Sequence, residues 1–231
     1  TRWITRRFAQ HRLALASAVI IICLATLAVT APLIEAVLGI EADAVDLFNR
    51  YGPPSTTHPL GTDELGRDVL IRLLYGGQVS LFVGLTATIA AALIGTSIGL
   101  LSGYIGGRTD AVIMRITDGV IALPVLPLLI VLAAIDLNKL GLPDSVIGSE
   151  NASLYRIVAI VALVGWTTVA RLVRASTLAL KARPFVEAAR AQGAGPLRIM
   201  ARHILPNLAS PIIVATTLAV GNVILLESVL S

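Results

Sequence analysis

The sequence predicts an all-α membrane protein that crosses the bilayer several times, and three observations carry that expectation. Hydrophobic residues make up 56% of the 231 positions and charged residues only 14%, whereas charged residues approach a quarter of an ordinary soluble domain. The apolar residues come in blocks of about 20, the length that crosses hydrocarbon as a helix. Lysine and arginine are sorted between the two sides of those blocks. Inside hydrocarbon every backbone amide must be bonded within its own segment or a closed barrel. The blocks lack the alternation with polar lumen residues that a barrel needs, so they are helices.

Five spans are predicted in order. The first runs from Leu13 to Val29, with a possible continuation to Leu38, behind a head that carries Arg2, Arg6, Arg7 and Arg12. The run is long and further spans follow it, so it reads as an uncleaved helix rather than a signal peptide. The second is Leu81–Leu101. The third, Ile113–Ile135, is expected to be broken by Pro124 and Pro127, because proline removes a helical donor and kinks the chain. The fourth is Ile157–Val173 and the fifth Leu208–Leu230. The chain is thus divided into a head with its first helix (1–30), an outer segment with short helices (31–80) and a core bundle (81–231). A cytosolic loop interrupts the bundle at about 181–206. A sixth span beyond Ser231 is also expected.

Charge orients the bundle. With the head inside, the inner side collects Arg108, Arg115 and the run from Arg171 to Arg202, while Glu35, Glu41, Asp43, Asp46, Asp63 and Asp68 fall outside. Excess Lys and Arg on the cytosolic side is the pattern that membrane insertion follows. The net charge of +4 therefore belongs to topology, not to nucleic-acid binding. The single cysteine, Cys23, lies in the first apolar block and reads as a small apolar filler.

Ala91, Gly95, Gly99 and Gly103 recur every fourth residue in the second span, placing small residues on one face where another backbone can approach. Bundle packing and a pore-lining or dimer-forming face both fit that stripe. In the outer stretch Pro53–Asp68, Thr62 is expected to cap a short helix with Asp63 and Glu64 in its first turn. His58 among acids invites a metal reading, but a lone histidine without a second soft ligand supplies too few ligands. Near the end of the fifth span, Asn222 and Glu227 are the strongly polar residues. An ionisable group there either lines a solute path or pairs with a neighbouring helix.

The stretch from Ala182 to Pro206, ARPFVEAARAQGAGPLRIMARHILP, is the most informative. Pro184 suits a first helical turn, and VEAARAQ is a strong helix former with Glu187 near its start. Gly193, Gly195 and Pro196 end that helix. LRIMARHIL resumes as a second helix, with apolar Leu197, Met200 and Ile204 on one face and Arg198 and Arg202 on another. Pro206 is expected to reset the chain into the fifth span. A helix pair lying on the membrane surface and an element docking a cytosolic partner both satisfy this pattern.

Glu187-Ala188-Ala189, three further residues, Gly193, and then Leu205-Pro206 resemble the EAA loop of ATP-binding-cassette importer permeases. Where the general pattern has isoleucine this chain has His203, within Arg202-His203-Ile204-Leu205-Pro206-Asn207, which resembles the dipeptide, oligopeptide and nickel branch. His58–Leu70 (HPLGTDELGRDVL) and Gly103–Asp118 (GYIGGRTDAVIMRITD) are similar to signatures of the same branch, so the resemblance extends over nearly the whole chain. It implies the transmembrane domain of a type I importer, a helical bundle like that of the methionine permease, in a bacterial inner membrane with the N-terminus inside. The implied partners are a second permease, two ATPase subunits that bind ATP and Mg, and an extracytoplasmic binding protein, besides lipid. It implies ATPase docking through Glu187, Ala188, Ala189, Arg190, Gln192, Gly193, Ala194 and Pro196, closure of the loop by His203, Leu205 and Pro206, and a solute path past Asn222 and Glu227. Short peptides are the expected cargo, with nickel chelates and glutathione also handled within the family.

No glycine-rich phosphate loop accompanies Lys139 or Lys181, and the three histidines are scattered, so no catalytic site, metal site or cofactor of its own is expected in this chain. Two other classes also fit the sequence. A secondary transporter would use Glu227 as its ion site but would show inverted repeats. A non-transporting scaffold would use the same loop only for recruitment.

Overall fold

The computed structural model describes residues 12–133 and 152–230. The expected end of the third span at Ile135 and the Lys139 position fall outside them. Helices dominate: α1 Arg12–Val29, α2 Ala31–Leu38, a 3-10 turn Leu47–Asn49, α3 Val69–Ile105, α4 Gly107–Ala122, α5 Val125–Ala133, α6 Ala152–Lys181 and α7 Pro184–Ala191. After α7 come α8 Pro196–Arg198, a π turn Ile199–Ile204 and α9 Leu205–Leu230. Four stretches among the described residues are long and apolar enough to cross a membrane: Arg12–Val29, Val69–Ile105, Leu154–Lys181 and Pro196–Val229. The third expected span is built differently. The chain stops being helical at Leu123, whose extended backbone (φ −73°, ψ 136°) is what a residue before proline prefers. Pro127 breaks nothing, because it lies in the first turn of α5, where a missing amide donor costs no helical bond.

Two compact units divide the chain, one ending at Phe82 and the other beginning at Val83, inside α3. In the first unit Ala28, Ala31, Ile71 and Leu74 are buried, while Ile20, Ile21 and Ile22 of α1 are mostly exposed, as a lipid-facing helix requires. Its outer turn departs from the sequence expectation. Thr62 caps no helix: its hydroxyl donates to the Asn49 carbonyl and accepts the Gly52 amide. Gly61 and Gly66 both take φ of +78°, which folds the segment into tight turns rather than a helix. The cap belongs to Asp68, whose Oδ1 accepts the Ile71 amide at 2.8 Å and opens α3. His58 Nδ1 lies 3.0 Å from the other Asp68 oxygen.

In the second unit α6 packs against α3 so closely that the glycine positions of α3 have no room for a side chain. A Cβ on Gly95 would lie 2.5 Å from the Trp166 carbonyl oxygen, one on Gly99 2.5 Å from that of Ala170, and one on Gly103 2.8 Å from that of Arg174. Both series advance by four residues in the same sense, so α3 and α6 run parallel. Their C-termini, Ile105 and Lys181, therefore share one end of the bundle. The small-residue stripe read from the sequence is this seam, with Ala91 meeting Gly165.

Candidate functional site

The loop that follows α6 is rooted in the bundle and exposed at its tip. Arg183 is extended (φ −82°, ψ 145°) and Pro184 takes the first helical position of α7. Helical spacing then places Val186 and Ala189 on one face, both buried, and leaves Glu187, Ala188 and Arg190 exposed. The helix ends in a Schellman motif. Gly193 has φ +81°, its amide donates to the Arg190 carbonyl at 3.0 Å, and the Ala194 amide donates to that of Ala189 at 3.0 Å. The glycine four residues beyond Ala189 is thus the residue that turns the chain.

Val186 and Ala189 sit in one apolar cluster with Leu100 of α3, Val169 and Val173 of α6, Ile199, Met200 and Ile204 of the π turn, and Leu208 of α9. Ala194 and Leu205 pack against it from the side. The face expected from α-helical spacing is partly corrected. Met200 and Ile204 are buried as expected, but Leu197 is 79% exposed and Ile199 takes its place inward. The π turn is the reason. Its wider winding, seen in the Leu205 amide bonding to the Met200 carbonyl, brings residues five apart into line, so Ile199 and Ile204 share a face. Pro206 is corrected for a related reason. It does not reset the chain, because α9 runs through it; the looser turn just before it relieves the clash of the proline ring with the preceding carbonyls.

The predicted docking residues therefore converge. Glu187, Ala188, Arg190, Gln192, Gly193 and Pro196 are exposed around one tip, with Ala189 and Ala194 beneath them. Ala189, Gln192, Ala194, Arg198, Arg202 and His203 line a hollow of about 330 Å³ beside it. The two path candidates separate. Asn222 lines a cleft of about 640 Å³ among α4, α5, α6 and α9, whose walls include Leu129, Val164, Thr168 and Leu218. Glu227, five residues on, is 4% exposed and lies outside that lining.

Sequence reasoning missed the ionic side of this end of the bundle. The Arg174 guanidinium holds the Asp110 carboxylate with two nitrogens, Nη2 to Oδ2 at 2.5 Å, and the Ser102 hydroxyl donates to Asp110 Oδ1. Arg174 first of all, and then Ser102, hold the Asp110 pKa down at about 2 against the opposing effect of burial. Arg171 pairs with Asp118, and the Lys181 ammonium donates to the Tyr104 carbonyl at 2.5 Å. The available signal was the pairing of two acids on α4 with two arginines one turn apart on α6.

Residues 95–231 match the model of the binding-protein-dependent transport system inner membrane component. The chain belongs to that family of transport permeases. Residues 1–54 of the permease also match the N-terminal transmembrane domain of oligopeptide transport permease C. The permease is 35% identical over 225 residues to the oligopeptide transport system permease protein OppC of Bacillus subtilis, an alignment covering 97% of this chain and 68% of that protein. It is 36% identical over 226 residues to the dipeptide transport system permease protein DppC of the same organism (98% and 65% covered). It is 36% identical over 218 residues to the probable D,D-dipeptide transport system permease protein DdpC of Escherichia coli (94% and 67% covered). A transport permease is a non-catalytic membrane component, and the helical bundle described above is its transmembrane domain.

Proposed function

We propose that this permease carries short peptides across a bacterial inner membrane in an ATP-driven importer, and that α7 is the element through which ATPase subunits drive it. The observation that carries the reading is the construction of the loop. An exposed helix of small and charged residues is anchored by Val186 and Ala189 in a cluster that also holds α3, α6 and α9. A push on such a helix reaches three spans at once, because close-packed cores transmit displacement instead of absorbing it. The peptide cargo rests on the names of the relatives above.

In this reading the loop end of the bundle is cytosolic, the N-terminus is inside, and the arginines near α6 and α7 follow the positive-inside pattern. Two ATPase subunits bind ATP and Mg and hydrolyse the nucleotide. A second permease completes the solute path, and an extracytoplasmic protein delivers the peptide. ATP shifts the bundle between inward-open and outward-open arrangements only by the difference in its affinity for the two. The uncharged cleft past Asn222 is the segment of path this chain supplies.

Affinity purification of the tagged permease from its native host tests the reading. ATPase subunits should accompany the native chain and be lost with Glu187→Arg, while the variant remains in the membrane at native levels. Recovery of the permease without any ATPase, or undiminished recovery with Glu187→Arg, contradicts it.

A further inference from the structure

We propose that α3, α4 and α6 move as one rigid lever, and that Asp110, Arg174 and Ser102 are the positioning residues that lock it at the end carrying the docking loop. The inference rests on the α7 reading above and adds what the loop pushes against.

Two different contacts hold the three helices. Along the α3–α6 seam the α3 backbone lies directly against α6: the carbonyls of Trp166, Ala170 and Arg174, with the Cβ atoms of Val169, Val173 and Thr177, occupy the space that side chains at Gly95, Gly99 and Gly103 would need. Rotation of one helix on the other would drive a neighbouring side chain into that seam. Sliding is opposed at the end. The Ser102 side chain, on α3, is fully buried and donates to Asp110 on α4, and Asp110 takes both nitrogens of the Arg174 fork from α6. One carboxylate thus receives donors from two other helices. A bidentate arginine–carboxylate pair is specific in direction as well as charge, so a shift of α4 along α6 breaks two bonds together. The turn between α3 and α4 is fixed as well, by the Gly106 amide on the Ser102 carbonyl at 3.0 Å and by Lys181 on the Tyr104 carbonyl. Leu100 and Val173, next to these residues on α3 and α6, belong to the cluster that receives Val186 and Ala189 of α7. The clasp therefore lies directly behind the point at which the loop bears on the bundle.

The experiment measures distances in the assembled transporter. Cys23 is replaced by alanine, and spin labels are placed at Arg108→Cys on α4 and Leu178→Cys on α6, both exposed positions. The full permease, co-purified with its ATPase subunits in lipid nanodiscs, is measured without nucleotide and with ATP under non-hydrolysing conditions. The lever requires the α4–α6 distance to agree between states to within about 2 Å, the scale of an ordinary helix shear. In Asp110→Asn the same distance should become nucleotide-dependent by more than that, and Arg174→Lys, which keeps charge but loses the fork, should fall between. A residue that merely stabilised the fold would lower yield without making the distance respond to nucleotide. A nucleotide-dependent distance in the otherwise native chain overturns the lever, as does an invariant one in Asp110→Asn. If Asp110→Asn does not assemble, the native arm decides. Absence of ATPase subunits from the native preparation would instead count against the docking reading.

Discussion

Glycine is required in two regions of this permease for opposite reasons. At Gly95, Gly99 and Gly103 the backbone is ordinary helix, and what forbids a side chain is the neighbouring carbonyl 2.5–2.8 Å from where Cβ would stand. At Gly193 nothing lies within 4 Å, and what forbids a side chain is a φ of +81°. The seam is closed space between two elements of one bundle. The loop is open space around a left-handed turn. A position that must be glycine for space marks a contact already made within the chain. One that must be glycine for its backbone angle, with emptiness around it, is available for a contact with something else.

Gly99→Leu should separate the regions most sharply. A branched side chain directed at the Ala170 carbonyl has nowhere to go, and overpacking of this kind costs about 3 kcal/mol or more. The variant should be lost from the folded fraction in size-exclusion chromatography, and near-native yield would show that the seam opens easily. Glu187→Arg comes next and acts only outside the chain. Its melting temperature should match the native permease while ATPase co-purification falls by about tenfold or more, within the range of ordinary coupling energies. Gly193→Ala is milder, costing about 1–2 kcal/mol for a left-handed alanine. Gly193→Asn should cost less, because asparagine tolerates that region; equal melting temperatures for the two would remove backbone angle as the reason.

The outer turn sharpens the contrast with a third case. Gly66 combines a φ of +78° with the backbone of Asp46 pressed against it, so both requirements meet there. Asp63 holds this turn. Burial works to raise its pKa, but the Arg67 and Leu65 amides with the Arg67 and Arg72 side chains hold it well below its ordinary value of 3.8. A carboxylate with a depressed folded pKa stabilises fully above that ordinary value and loses its contribution progressively as pH falls from there through the folded one. Amide protection at Leu65 and Arg67, measured by hydrogen exchange and corrected for intrinsic rates, should therefore be unchanged from neutral pH down to about pH 4. This is the smallest effect. Loss of protection at pH 5–6 would mean the carboxylate does not carry the turn.

Much of the fold could be read from the sequence because lipid leaves few options. A long apolar block must be a helix, and the four-residue spacing of Ala91 to Gly103 had only one face to occupy. The helix-and-turn geometry of the loop after α6 was legible through Pro184, Glu187 and Gly193, whose places are set locally by the backbone. Four features were not. Leu197 and Ile199 exchanged places because a π turn changes the winding, and no helical periodicity announces it. Thr62 yielded the cap to Asp68 because two positive-φ glycines turned the intervening residues out of helix. The Asp110–Arg174 clasp joins residues 64 apart, so it depends on the α3–α6 seam bringing their helices together. Asn222 and Glu227 looked alike as polar residues in one span, yet five residues of helix point them in different directions, one into the cleft and one away.

The central claim is that α7 is touched by an ATPase, and site-specific photo-crosslinking in native membranes tests it most directly. A photoreactive residue at Ala188, exposed on α7, should form an adduct with an ATPase subunit, whereas one at Ile213, exposed on the apolar surface of α9, should not. An Ala188 probe that labels only lipid, or reaches the ATPase no more than the Ile213 probe does, would contradict the account.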